Sequence, residues 1–162
     1  MTTLKRDFDF LHGSWSVHNR YLAERLKGSG QWIEFSARSE VQPLLQGAGN
    51  IDRYAASRNG ESFEGITLRL FNPATGEWSI YWADTVRPGI LLPPMAGRFH
   101  GDLGEFFGEE EVAGRKVSCR FHWLRANPDA PRWEQAFSSD GGKTWETNWI
   151  MTFTREKGFE SH

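Results

Sequence analysis

A chain of 162 residues, 38% of them hydrophobic, can fill one core and hardly two, so a single domain spanning 1–162 is expected. Eight Trp and twelve Phe supply bulky packing groups while 17 Gly and 7 Pro supply turns, a composition that excludes disorder, collagen and coiled coil. A formal charge of -2 offers no long-range pull on nucleic acid or on an anionic membrane surface.

Leu4 to Leu11 is the one plausible helix, a short turn that could plug one end of the fold. From there apolar and polar residues alternate with period two, broken by Gly, Pro, Asn or Asp clusters about every ten residues, as in successive antiparallel strands. Strands are expected at Ser14 to Leu26, Trp32 to Val41, Gly49 to Ala56, Phe63 to Phe71, Trp78 to Asp84, Gly97 to Phe99, Gly104 to Gly108, Lys116 to Leu124, Trp133 to Ser138 and Trp145 to Arg155. Lys27 to Gly30, Asn59-Gly60, Asn72 to Gly76, Ala113-Gly114, Asn127 to Asp129 and Asp140 to Gly142 carry turn chemistry between them. Arg87 to Ala96 is the exception: Pro88, Pro93 and Pro94 interrupt the ladder and predict a loop or strand edge near an opening. Hairpin-sized connectors and the need to cover strand edges together favour one closed up-and-down antiparallel barrel of about eight to ten strands.

Face by face, Trp78, Ile80, Trp82 and Asp84 align on one strand, Val117, Cys119, Phe121 and Trp123 on another, and Trp133, Gln135 and Phe137 on a third. Trp15, Val17, Asn19 and Tyr21 align on the first strand, and Trp145, Thr147, Trp149, Met151, Phe153 and Arg155 on the last. Asp84 and Gln135 thus fall among aromatics, where a dry core would not tolerate them unpartnered, so either a wet or ligand-filled cavity is expected or both lie near a barrel rim or beside an internal Arg. One register slip would exchange the faces and bring Arg69, Arg120, His122 and Asn148 inside instead. Apolar neighbours such as Tyr81 beside Trp82 and Trp149 beside Ile150 leave an outer wall that a homodimer would cover.

Few motifs carry chemistry. Cys119 is the sole cysteine, so no intrachain disulfide and no cysteine-rich metal site can form. Charged residues are spread through Met1 to His12, leaving no apolar run of signal-peptide length, and a cytoplasmic protein is expected. His12, His18, His100 and His122 show no metal-binding spacing, although a haem in a small barrel needs one axial His, for which His18 or His122 would serve. Gly47-Ala-Gly49 and Gly101 to Gly104 lack the phosphate-loop spacing, and Glu109, Glu110 and Glu111 read as a solvated charge run. No cofactor is called for.

The string Ser138-x-Asp140-x-Gly142-x-Thr144-Trp145 resembles the Asp-box of sialidase-type propellers, where it tightens a hairpin with the Trp packed beneath; here it implies a structural hairpin between the last two strands. Phe10-Leu-His-Gly-Ser-Trp15 resembles the Gly-x-Trp opening of the lipocalin and calycin superfamily, with Phe153-Thr-Arg155 at its last strand. Leu68 to Gly76, Trp78 to Trp82, Pro94 to Phe99 and Trp133 to Trp149 extend the likeness to a lipocalin-like family of small uncharacterised bacterial proteins, a domain of unknown function, over nearly the whole chain. The resemblance implies the barrel and a stack of Arg155 on Trp15, and it assigns no catalytic residue.

The leading functional expectation is a binding module that holds a small apolar or aromatic molecule, with Trp82 and Trp149 as walls and Asp84 and Gln135 fixing its orientation. The alternative is an enzyme acting on a small aromatic or carboxylic acid, with Tyr21, Asp84 and Arg98 as acid-base candidates and Asp84 needing a pKa raised by burial. Haem binding is the second alternative.

Overall fold

The computed structural model describes residues 6–156. Ten antiparallel strands follow one another in chain order: β1 (Gly13–Leu22), β2 (Trp32–Leu44), β3 (Gly49–Arg58), β4 (Glu61–Asn72), β5 (Glu77–Asp84), β6 (Met95–His100), β7 (Leu103–Val112), β8 (Arg115–Leu124), β9 (Arg132–Ser138) and β10 (Glu146–Arg155). Each pairs with its sequence neighbour, and β1 pairs with β10 from Trp15 opposite Arg155 to Tyr21 opposite Trp149, closing the sheet into a barrel. Closure removes the exposed edges that an open meander would present. Among the described residues no helix is long and apolar enough to cross a membrane.

Two-residue turns pin the register. Asn59 and Gly60 both have positive φ, 54° and 78°, the mirror-image turn whose twist matches the flanking strands, and they set Arg58 opposite Glu61. Ala113 and Gly114, at 51° and 79°, do the same between β7 and β8. In β4 this register turns Thr67 and Arg69 inward and leaves Ile66 exposed, the reverse of what its leucines and isoleucine would choose alone.

Alternate residues fill the interior. At one end Phe8 drops into the barrel as a plug, meeting Trp78 and Phe99 edge-on with ring centroids 5.0 Å away in each case, and it is 1% exposed. The expected helix is a minor element: Leu4 and Lys5 lie outside the described residues, and only Asp9–Leu11 forms a 3-10 turn. That turn ends where the Leu11 carbonyl accepts the Trp15 indole N–H at 2.8 Å. The Arg155 guanidinium lies 4.2 Å from the Trp15 ring centre and donates to the carbonyls of His12 and Phe10 at 2.8 and 3.0 Å, so strand β10 locks the plug into the closed end.

Three sequence expectations are corrected here. The first strand stops at Leu22 instead of Leu26, and residues 23–31 cross the open end as a loop. Trp145 does not share the face of Trp149: β10 starts at Glu146 and its pairing with β9 slips between Thr147 and Trp149, so Trp145 lies on the outer wall against Phe107 and Arg120. Arg69 faces inward although Arg120 and His122 face outward, because register is set strand by strand and not for the barrel as a whole. Outward-facing Ile150 is 9% exposed within the single chain.

Candidate functional site

The end opposite the plug is open. Five connections surround it, including loop 23–31 after β1, the Asn59-Gly60 turn and the long loop 85–94 between β5 and β6. Below them a cavity of about 360 Å³ runs down the barrel to Arg69, Trp123 and Phe153, within the range of small-molecule sites. Trp82, Trp133 and Trp149 form much of its wall. Trp133 and Trp149 meet edge-on at 5.5 Å, and Tyr21 stands edge-on to Trp149 at 5.2 Å.

Buried polar groups hold those rings. Asn19, 0% exposed, accepts hydrogen bonds on Oδ1 from the Tyr54 hydroxyl at 2.7 Å and the Trp149 indole at 2.9 Å, which explains an amide among the aromatics of β1. Burial pushes the Tyr54 phenol above its ordinary pKa despite that hydrogen bond, keeping it a neutral donor. Gln135 donates to Asn148 at 2.8 Å, and Asn148 is the residue inserted by the β10 irregularity. Trp82 leans over Gly65, where an added Cβ would lie 2.0 Å from its ring, so β4 accommodates this wall only with glycine.

Toward the floor sits a buried ion pair that inspection of the strands does not single out. Arg69 donates to Asp52 Oδ2 at 3.0 Å and to Asn50 at 2.9 Å, while Asp52 Oδ1 accepts the Thr67 amide at 3.0 Å. Burial pushes the Arg69 guanidinium below its ordinary pKa, opposed by the charge and hydrogen bond of Asp52. The only signal available in advance is polar alternation in Asn50, Asp52 and Tyr54, matched by Thr67 and Arg69 across the Asn59-Gly60 turn.

Tyr21, Trp82, Asp84, Gln135 and Trp149, all singled out from the sequence, border this one cavity. Arg98 does not: it is on the outer face of β6, next to Glu77 at 3.6 Å and the Thr75 carbonyl, because the inward positions of that strand are Met95, Gly97 and Phe99. His18 pairs with Glu34 and His122 with Glu105 on the outer wall, both at 3.0 Å, so neither reaches the cavity as an axial ligand. Glu110 is not simply solvated: it turns to the cavity mouth and lies 3.5 Å from Arg87.

Asp84 is fully engaged. Oδ2 accepts the Trp82 indole at 2.6 Å, and Oδ1 accepts the Val86 and Arg87 amides at 2.9 and 3.0 Å. Partial burial favours the neutral acid, but the Trp82 bond, the loop amides and the Arg87 charge outweigh it and hold the carboxyl below its ordinary value. Proton donation near neutral pH requires the opposite shift. The Cys119 thiol, pushed up to about 12 by burial, is equally unsuited as a nucleophile.

The Asp-box string forms the turn after β9. Asp140 accepts the Lys143 and Thr144 amides at 3.0 and 2.9 Å and the Thr144 hydroxyl at 2.6 Å, with Ser138 donating at 2.7 Å. These bonds, led by Thr144, lower its pKa to about 2. The Trp145 ring lies beneath Gly142 and does not line the cavity.

No family model matches the chain, and no curated protein matches it. Among solved structures it is similar to Rv2717c from M. tuberculosis, at 11% identity and a TM-score of 0.63, covering 96% of this chain and 100% of the other. It is also similar to the S-type phycobiliprotein lyase CPES from Guillardia theta, at 14% identity and a TM-score of 0.60, covering 93% and 91%. At such identities the likeness is one of fold: this chain is a closed ten-stranded barrel of the architecture those two structures share.

Proposed function

We propose that the protein binds a small, mostly apolar or aromatic molecule in its barrel. The observation that carries this is the open cavity of about 360 Å³, whose aromatic walls are fixed by internal hydrogen bonds instead of collapsing on one another. Trp82 and Trp149 are the walls, Tyr21 and Gln135 offer polar contacts, and Asp84 acts through Trp82, whose indole it holds. That a phycobiliprotein lyase is built on the same fold supports a barrel with an internal site. The lowered pKa of Asp84 and the outward position of Arg98 give no support to acid-base catalysis.

The test is a titration with N-phenylnaphthylamine, a neutral aromatic probe, followed by its own emission and by quenching of the barrel tryptophans. Saturable binding is expected, with Trp149→Ala weakening it by about 1 to 3 kcal/mol through lost ring contact. Absence of binding, or binding indifferent to Trp149, overturns the proposal.

A further inference from the structure

The cavity mouth carries an unbalanced pair of cations. Arg25, from loop 23–31, places its guanidinium carbon 4.1 Å from the centre of the Tyr21 ring, and Arg58, at the end of β3, places its own 4.5 Å from the same ring. Their separation therefore cannot exceed the sum of those two distances. Stacking on a ring uses the flat face of a guanidinium and leaves the N–H donors, which lie in its plane, for another partner.

No such partner exists among the described residues. Neither arginine forms an ion pair or side-chain hydrogen bond, and the Nε and Nη2 of Arg25 are buried with nothing to donate to. The nearby carboxylates are already engaged. Asp84 and Glu110 both face Arg87, Glu109 faces Lys116 at 3.8 Å, and Glu146 accepts the Leu26 amide one residue beyond Arg25. A buried donor without an acceptor is costly, more so when charged, so the buried Arg25 donors with the unpaired Arg58 beside them at the rim of a cavity call for an anion. Burial pushes the Arg25 pKa down and the neighbouring Arg58 charge adds to it, outweighing the opposite pull of Tyr21 and of the Glu110 carboxylate.

Resting on the cavity reading above, the geometry points to an organic acid as the ligand, with its flat apolar body among Trp82, Trp133 and Trp149 and its anionic group held at the mouth between Arg25 and Arg58. The floor contributes no second unpaired charge, because Arg69 is neutralised by Asp52, although its Nε is also buried without an acceptor.

Two probes with nearly the same body separate the claims: anilinonaphthalene sulfonate carries an anion and N-phenylnaphthylamine does not. The sulfonate is expected to bind roughly tenfold or more tightly than the amine, because charge-assisted hydrogen bonds are the stronger kind. Arg25→Gln and Arg58→Gln should each erase most of that advantage and leave the amine's affinity within about twofold. Added salt should weaken only the sulfonate. If the amine binds and the sulfonate gains nothing, or both variants lose the two probes equally, the anion clamp is refuted and the apolar cavity stands. If neither probe binds the folded wild-type protein, both readings fall.

Discussion

Replacing Asp52 with Asn removes one charge from the cavity floor and almost no volume, leaving Arg69 buried without a counter-ion. The pair is tight and buried: 3.0 Å from nitrogen to oxygen, with Arg69 4% and Asp52 6% exposed. Breaking a buried pair by removing one partner costs about 3–5 kcal/mol, because the remaining charge keeps its desolvation penalty and loses its compensation. Against a total stability of about 5–15 kcal/mol for a domain, this is a large share. Urea unfolding followed by tryptophan emission should show a lower midpoint with an unchanged slope, the mark of a stability change without a change in exposed surface. Replacing both members, Arg69→Met with Asp52→Leu, should cost less than Asp52→Asn alone, since no orphaned charge remains. A loss below about 1 kcal/mol for Asp52→Asn, or a double variant worse than the single, would refute the argument that the pair is held together by mutual neutralisation.

Gly65→Ala drives a methyl group into the Trp82 ring, so a loss of about 1–3 kcal/mol and a displaced Trp82 are expected, measured by denaturation and by the tryptophan emission maximum. Arg155→Met removes contacts to the carbonyls of His12, Phe10 and Pro128, an exposed ion pair with Asp129 and the stack on Trp15, and thermal melting should show a loss of about 2 kcal/mol. Asp140, lowered from 3.8 to about 2 in the fold, stabilises the β9–β10 hairpin fully above the higher value and loses that effect as pH falls through the lower one. The melting-temperature gap between wild type and Asp140→Ala should therefore close on acidification across that window, and a gap independent of pH would show that the carboxylate does not hold the turn.

The strand sequence was legible because turn chemistry and alternation agree locally, as at Asn59-Gly60 and Ala113-Gly114, where the residue types dictate the backbone angles. Inward faces were legible wherever aromatics mark one side, as in β5, β8 and β9. They were not where polarity runs against expectation. In β4 the leucines face out and Arg69 faces in, a choice made by its turn and by Asp52 across the strand pair, neither visible from β4 alone. In β10 the inserted Asn148 breaks the alternation, and a strict period of two carries Trp145 to the wrong side. Arg25 and Arg58 fell outside the expected site for another reason: one is in a loop and the other at a strand end, where periodicity says nothing about direction.

The strands of the ring are not joined with equal strength. The β1–β10 seam runs from Trp15 to Tyr21, but β5 and β6 meet only from Trp78 opposite Gly97 to Ile80 opposite Met95, beyond which loop 85–94 is tied to β5 by the Leu92 amide on the Trp82 carbonyl at 3.0 Å. In the strand order these two seams are diametrically placed, so the barrel is two five-stranded leaves bound along a long spine and fastened by a short clasp. Val86, Leu92 and Pro93 of the clasp border the cavity, while Ile90 and Leu91 are exposed beside them. The clasp is the cheapest place to part the leaves, since few ladder bonds must break there and the spine can stay intact. Amide exchange at Ile80, which sits at the end of the clasp pairing opposite Met95, should therefore outpace that of the spine, and a parting there would open the cavity from the side instead of from the mouth.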